Sequence, residues 1–107
     1  MFSFFQAKQK NTLNKDIFEN SIIIDVRSKE EFQTDPVKPA EIKVTNIPVD
    51  QIISLRTIPN TSQDSKIVLF CKSGSRSAMA SEILKHGGYT NIINAGSKDN
   101  VEKILQE

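Results

Sequence analysis

One segment of the chain combines a nucleophile with groups that bind anions. It runs from Cys71, the only cysteine of the protein, through Lys-Ser-Gly-Ser-Arg to Ser77. Gly74 and the small serines allow successive backbone amides to turn toward one point, and a following helix would add its positive N-terminal end. These amides, together with Lys72 and Arg76, favour the thiolate of Cys71 over the thiol. The segment therefore predicts an activated nucleophile beside a site for an anionic substrate.

A buried structural cysteine followed by an ordinary turn is the alternative interpretation, because cysteine is often only a small core residue. The residues after Cys71 argue against it. An arginine stands five residues after the cysteine, with serines and a glycine between them. A strand-to-helix turn does not require this combination, so we favour the functional interpretation.

The surrounding pattern places Cys71 at the end of a buried strand, predicted over 66–70. An apolar stripe at helical spacing follows it, made by Ala78, Met79, Ala80, Ile83 and Leu84. Further strands are predicted at 22–26, 44–49 and 91–94, and a turn at Gly96 follows the last of them. Helical segments are predicted at 15–20, 29–33 and 98–106, and one more begins after Asp50, which is expected to cap it. Strands that alternate with helices predict an α/β domain, with a single parallel sheet and helices on both faces. Such sheets bind ligands outside the carboxyl ends of their strands, where Cys71 is expected.

The composition excludes several classes of function. The 14 lysines and arginines almost balance the 13 acidic residues, so neither nucleic acid nor a membrane surface is expected as a partner. A single cysteine and a single histidine, His86, provide neither an intramolecular disulfide nor a usual zinc site. No apolar run approaches the ~20 residues of a membrane span, and no signal-peptide pattern is found. The sequence thus predicts a cytoplasmic monomer with an N-terminal extension at 1–14, whose Phe2, Phe4 and Phe5 pack onto a domain at 15–107.

The motifs, taken in order, resemble those of single-domain rhodanese-like sulfurtransferases. The cysteine segment matches the Cys-x-x-Gly-x-Arg-Ser loop of many members. Residues 23–32 match the family's Asp-Val-Arg segment with its acidic turn and aromatic residue, and residues 46–49 match its Asn-Ile-Pro element. Residues 80–96 match the family's helix, Gly-Tyr-Thr strand entry and final turn. The resemblance covers roughly residues 15–107 and implies the rhodanese-like α/β fold.

The resemblance also implies a reaction and the residues that carry it. Cys71 would take a sulfane sulfur from thiosulfate or a persulfide donor and pass it to a thiophilic acceptor, such as cyanide, a thiol or a sulfur-acceptor protein. No cofactor and no metal is required. The charged sulfur and the departing anion would be held by the loop residues Lys72, Ser73, Gly74, Ser75 and Arg76.

Three further residues are expected to support the site rather than to bind substrate. Ser77 follows the loop directly. Asp25 is expected to accept hydrogen bonds from the loop, and Arg27 to pair with an acid such as Glu30 or Glu31, although a surface ion pair is the simpler alternative.

Other functions remain possible on the same fold. A non-catalytic persulfide carrier or an adaptor domain would keep the structure without the turnover. A small cysteine phosphatase or arsenate reductase is disfavoured, because related phosphatases have arginine six residues after the nucleophile, where this chain has Ser77. The chain also departs from the family at residues 37–45, where a Gly-His-Ile-x-Gly-Ala stretch is usual, and it lacks the tryptophan of the last helix.

Overall fold

Four short strands form one parallel sheet in the computed structural model, which describes residues 13–107. Because all three strand pairs are parallel, the carboxyl ends of the strands share one edge of the sheet. The predicted α/β architecture is confirmed. In the spatial order β2-β1-β3-β4, the strands are β1 (Ile22–Asp25), β2 (Thr45–Asn46), β3 (Ile67–Cys71) and β4 (Ile92–Ser97).

The central strand β3 is buried on both faces, since its side chains point alternately to opposite sides of the sheet. Ile67, Leu69 and Cys71 belong to one hydrophobic cluster. Val68 and Phe70 belong to a second cluster on the other face. The nucleophile candidate is therefore carried by the strand that is most firmly held in the fold.

Helices cover both faces of the sheet, as the alternating pattern predicts. The first cluster includes residues of α2 (Val49–Leu55) and α3 (Ser75–His86). The second cluster includes residues of a short 3-10 helix (Lys15–Phe18) and of α4 (Lys98–Leu105). The remaining helix, α1 (Lys29–Thr34), follows β1 and begins at the edge of the sheet where the strands end.

The second strand and the helix after it differ from the prediction. β2 spans two residues instead of 44–49. The backbone N–H of Ile47 still donates to Asp25 at 3.0 Å, but Pro48 has no N–H and cannot continue the ladder. Pro48 is also the N-cap of α2, and it makes no side-chain capping bond. Asp50 lies in the first turn of that helix, so its predicted role as the cap is wrong.

The end of β4 also differs from the prediction. Gly96 lies inside this strand with a φ of +84°, not in a turn beyond it. Leu69 pairs with Asn94 whereas Phe70 pairs with Gly96, so Ala95 is the additional residue of a β-bulge. After the bulge, Gly96 lies next to the cysteine loop, and its carbonyl oxygen is 3.3 Å from the Ser77 hydroxyl.

The apolar stripe of α3 is narrower than predicted. Ala80 and Leu84, four residues apart, are fully buried against the sheet, whereas Met79 is 51% exposed. A single-residue step turns a helix by about 100°, which carries Met79 off the buried face.

Two predictions concern parts of the chain that the structure does not cover fully. The predicted packing of Phe2, Phe4 and Phe5 lies outside the described residues. Within residues 13–107, no helix has the length and apolar character that crossing a membrane requires.

Candidate active site

Cys71 is the last residue of β3, and its sulfur is surrounded by backbone amides. In the sheet it lies opposite Ser97 of β4, and it is fully buried. Its Sγ accepts hydrogen bonds from the backbone N–H of Gly74 at 2.9 Å and of Ser77 at 3.4 Å. The loop thus wraps around the sulfur and turns its donors inward, which is the arrangement that stabilises negative charge.

Ser77 connects this loop to the neighbouring strand. Its buried hydroxyl is 3.1 Å from the carbonyl oxygen of Gly74 and 3.3 Å from that of Gly96, and it can donate to either. The hydroxyl oxygen of Ser77 lies 3.6 Å from Sγ of Cys71 and accepts a hydrogen bond from the thiol. A thiolate would instead accept the hydroxyl proton, so Ser77 can respond to the charge on the sulfur.

Glycine is required at the turn of the loop. Gly74 has a φ of +103°, in the left-handed region that side chains strain. A Cβ at this position would lie 3.7 Å from Cα of Gly96, so the loop backbone passes directly over β4. The positive φ of Gly74, more than any lack of space, is what requires glycine at this turn.

The hydrogen bonds of the loop set the charge state of the cysteine. Burial acts to raise the pKa of the Cys71 thiol, but the hydrogen bonds from the Ser77 backbone and hydroxyl, and then from the amides of Gly74 and Ser73, lower it by more. The pKa of Cys71 therefore lies below that of an ordinary thiol. The main causes of the lowered pKa are these hydrogen bonds of the loop, and not the charges of Lys72 and Arg76 that the sequence led us to expect.

We expect the lowered pKa of Cys71 to appear in the pH dependence of its alkylation by iodoacetamide. Only the thiolate reacts, so the rate rises with pH and levels off above the pKa. Because the pKa of Cys71 is lowered, the midpoint of this rise should fall below the value of about 8.5 found for a free thiol. In Ser77→Ala, which removes one hydroxyl donor, the midpoint should move upward. A wild-type midpoint at or above that of free cysteine would contradict the hydrogen-bonding pattern of the loop.

Arg76, the second residue of α3, forms an ion pair with Glu31 of α1. Its Nη1 lies 2.7 Å from Oε1 of Glu31, and its Nη2 lies 3.2 Å from Oε2. The hydrogen bond from Arg76, with a second from the Ser28 backbone, lowers the pKa of Glu31 to about 2. No prediction from the sequence paired Arg76 with Glu31. The Ser-x-x-Glu capping box at Ser28 was the available signal, because it places the Glu31 carboxylate at the sheet edge where α3 also begins.

Asp25 and Arg27 form a buried ion pair with each other. The guanidinium and the backbone N–H of Arg27 donate four hydrogen bonds to the Asp25 carboxylate, between 2.7 and 3.0 Å long. Among residues 13–107, the carboxylate bonds to Arg27 alone, so the predicted contacts between Asp25 and the cysteine loop are absent. The predicted pairing of Arg27 with Glu30 or Glu31 is also wrong, because the guanidinium of Arg27 bonds to Asp25 instead.

This pair continues into a chain of charges that was not predicted from the sequence. Arg27 donates to the carbonyl oxygen of Asp35 at 2.8 Å, at the end of α1. The Asp35 carboxylate lies 3.3 Å from Nζ of Lys98, which in turn lies 2.9 Å from Glu102 on α4. Glu102 also accepts from the backbone N–H of Lys38 at 3.0 Å. The chain of charges connects the end of β1 to the last helix and holds the segment after α1 in place.

A cavity of about 340 Å³ opens beside the loop, where α1, α2 and α3 begin. It is lined by Val26, Ser28, Lys29, Pro48, Val49, Asp50 and Arg76. The unusual segment at 37–45 contributes instead to a separate cavity of about 310 Å³ next to Phe32. None of the residues 71–77 lines that second cavity. The departure from the family pattern thus lies away from the walls around Arg76.

The other predicted loop residues face outward. Lys72, Ser73 and Ser75 are exposed, and Gly74 is half-buried. Within the part of the chain that the structure describes, no three histidine, cysteine or acidic side chains form a group that could hold a metal ion. The chemistry available at this edge is that of a stabilised thiolate and of hydrogen-bond donors for an anion.

Comparison with known proteins identifies relatives over most of the chain. A family model for the Rhodanese-like domain matches residues 9–98, a range that includes the complete cysteine loop. The thiosulfate sulfurtransferase PspE of Escherichia coli is 33% identical over 73 residues, which are 68% of this chain and 66% of that protein.

Solved structures give the same result for the fold. The human single-domain sulfurtransferase TSTD1 superposes with a TM-score of 0.64 at 27% identity, covering 82% of this chain and 84% of that one. An Escherichia coli rhodanese with anions superposes with a TM-score of 0.63 at 29% identity, covering 75% of this chain and 89% of that one.

Proposed function

The chain belongs to the rhodanese-like family, and from that premise we propose that it is an enzyme that transfers sulfur through a persulfide on Cys71. Relatives named as sulfurtransferases support sulfur transfer as the class of reaction. One observation carries the assignment to this residue. The Cys71 sulfur receives backbone hydrogen bonds from Gly74 and Ser77 at the end of β3, and they favour its thiolate.

In the first half-reaction the Cys71 thiolate attacks the outer sulfur of thiosulfate. A bond forms between the two sulfurs, the bond from the outer sulfur to the sulfite group breaks, and sulfite leaves with the electron pair. The product is a Cys71 persulfide anion, so the total charge and the number of electrons are unchanged. The loop amides that stabilise the thiolate would also stabilise negative charge on the persulfide.

In the second half-reaction a nucleophilic acceptor attacks the terminal sulfur of the persulfide. The sulfur–sulfur bond breaks, its electron pair returns to Cys71 as the thiolate, and the acceptor leaves as thiocyanate or as a new persulfide. No proton needs to be stored by the protein between the two steps. This is covalent catalysis in two displacements, and it uses no group beyond the cysteine and its donors.

Three features support a small anionic donor such as thiosulfate. Cys71 is fully buried, which favours a donor whose reacting sulfur is a single exposed atom. Donors converge on the reacting sulfur, and the next residue, Lys72, adds an exposed positive charge. Finally, the loop places Arg76 five residues after the cysteine, one fewer than in the related phosphatases.

Steady-state kinetics with thiosulfate and cyanide test this function. Because sulfite leaves before cyanide reacts, double-reciprocal plots at several cyanide concentrations should be parallel lines. Lines that intersect would require both substrates to be bound together and would contradict the persulfide route. Absence of turnover in a protein that still accepts one sulfur would identify a carrier instead of an enzyme.

A further inference from the structure

The ion pair between Arg76 and Glu31 joins the starts of two helices at the candidate site. Two guanidinium nitrogens meet two carboxylate oxygens, at 2.7 and 3.2 Å, which is the paired geometry that orients an arginine as well as attracting it. Both side chains are about one-third exposed, at 34% and 33%, so the pair is neither a mobile surface contact nor a core contact. The contact spans 45 residues of sequence and therefore connects α1 to α3.

Glu31 is itself held in place by its own helix. Its Oε1 accepts hydrogen bonds from the backbone N–H and from the hydroxyl of Ser28, both at 3.1 Å. The Ser28 hydroxyl also accepts from the backbone N–H of Glu31, which completes a capping box. A carboxylate restrained in this way is a fixed anchor for Arg76. Glutamine can also complete a capping box, so the anchor's charge can be removed while the cap is kept.

The remaining donors of Arg76 are available to a substrate. Within residues 13–107, its guanidinium hydrogen bonds to Glu31 alone, so Nε–H and one N–H on each terminal nitrogen are unused. Arg76 forms part of the wall of the 340 Å³ cavity at the strand edge. The charge of the Cys71 thiolate also adds to the causes that raise the pKa of Arg76, among which the Glu31 hydrogen bond is the largest. Arg76 also directly precedes Ser77, whose backbone N–H lies 3.4 Å from the Cys71 sulfur, so its charge acts close to the reacting atom.

We propose that Glu31 is a positioning residue, which holds the guanidinium of Arg76 in the cavity wall so that an anionic sulfur donor meets a cation already in place. This inference rests on the proposed sulfur transfer. Without the anchor, two effects would move Arg76 away. The positive end of α3 repels a cation in its first turn, and a released arginine side chain regains rotamer freedom in solvent.

The test compares Glu31→Gln with Glu30→Gln. Glu30 precedes Glu31 on α1 and is exposed, and its carboxylate makes no hydrogen bond or ion pair among the described residues. Both variants therefore lose the same charge on the same turn. In Glu31→Gln we expect kcat/KM for thiosulfate to fall about fivefold to tenfold, mainly through KM, because the loss is one of donor binding. In Glu30→Gln it should stay within about twofold. Equal effects in both variants, or higher activity in Glu31→Gln, would overturn the proposal.

Removing Arg76 shows whether Glu31 acts through it. In an Arg76→Ala background, Glu31→Gln should cause no further loss, because no guanidinium remains to be held. A full additional loss in the double variant would mean that Glu31 acts on the site by another route, which also overturns the proposal.

Chemical modification separates this inference from the proposed function. Iodoacetate is anionic and iodoacetamide is neutral, and both alkylate Cys71 whether or not the protein transfers sulfur. The rate with iodoacetate divided by the rate with iodoacetamide should fall about threefold in Glu31→Gln and remain unchanged in Glu30→Gln. Only the anionic reagent benefits from a positioned cation. A ratio that is unchanged or higher in Glu31→Gln refutes the positioning role. A protein without turnover that still shows the fall refutes only sulfur transfer.

Discussion

Replacing Cys71 with serine should reduce thiosulfate:cyanide sulfurtransfer by about a thousandfold or more, to the background of the uncatalysed reaction. Cys71 is the only thiol of the chain, so no second residue can form the persulfide. A serine hydroxyl has nearly the same shape, but it is not ionised near neutral pH and cannot hold a transferable sulfur. The measurement is the rate of thiocyanate formation at saturating thiosulfate.

Met79→Ser is a matched control for this loss. Met79 also carries a sulfur and lies on α3, but its side chain is exposed and outside the loop. We expect this variant to keep the wild-type rate. Both variants should melt near the wild-type temperature, so that a lost rate reflects chemistry and not unfolding. Retained turnover in Cys71→Ser would remove Cys71 from the mechanism.

Breaking the buried ion pair should have the largest effect on stability. Arg27→Met removes the cation and leaves the Asp25 carboxylate in a site with no exposed surface. An uncompensated buried charge costs about 3–5 kcal/mol in the free energy of unfolding, a large part of the total for a domain of this size. Urea denaturation followed by circular dichroism measures the loss.

Asp35→Asn is the control for that experiment. It removes an acid from the same chain of charges, but the Asp35 side chain is 64% exposed, and its carbonyl bond to Arg27 is kept. Loss of such an exposed pair should cost less than about 1 kcal/mol. If Arg27→Met costs no more than Asp35→Asn, the pair does not stabilise the end of β1. The double variant Asp25→Leu/Arg27→Met should be more stable than Arg27→Met, because no buried charge is left unpaired.

The sequence predicts the two central strands and the position of Cys71 well, because both depend on local patterns. Apolar β-branched runs mark β1 and β3, and residue order alone places Cys71 at the carboxyl end of a strand. The β-bulge at Ala95 could not be predicted in this way. It depends on how the backbone of β4 passes the cysteine loop, which no local pattern records.

The partners of the charged residues were the hardest part to predict. Arg27 has acids at Asp25, Glu30, Glu31 and Asp35 within a short stretch of chain, and sequence distance does not choose among them. The choice is made by the end of β1, where the chain turns so that the Arg27 guanidinium reaches back to Asp25. Glu31 is then left for Arg76, a partner 45 residues away that only the parallel sheet brings near.

The most direct test of the account is the mass of the intact protein after incubation with thiosulfate. Wild-type protein should gain the mass of one sulfur atom, located on Cys71, and should lose it again on addition of cyanide, with thiocyanate released in equal amount. Cys71→Ser should gain nothing. Gain of the same mass by Cys71→Ser, or a sulfur on wild-type protein that cyanide does not remove, would contradict the persulfide mechanism.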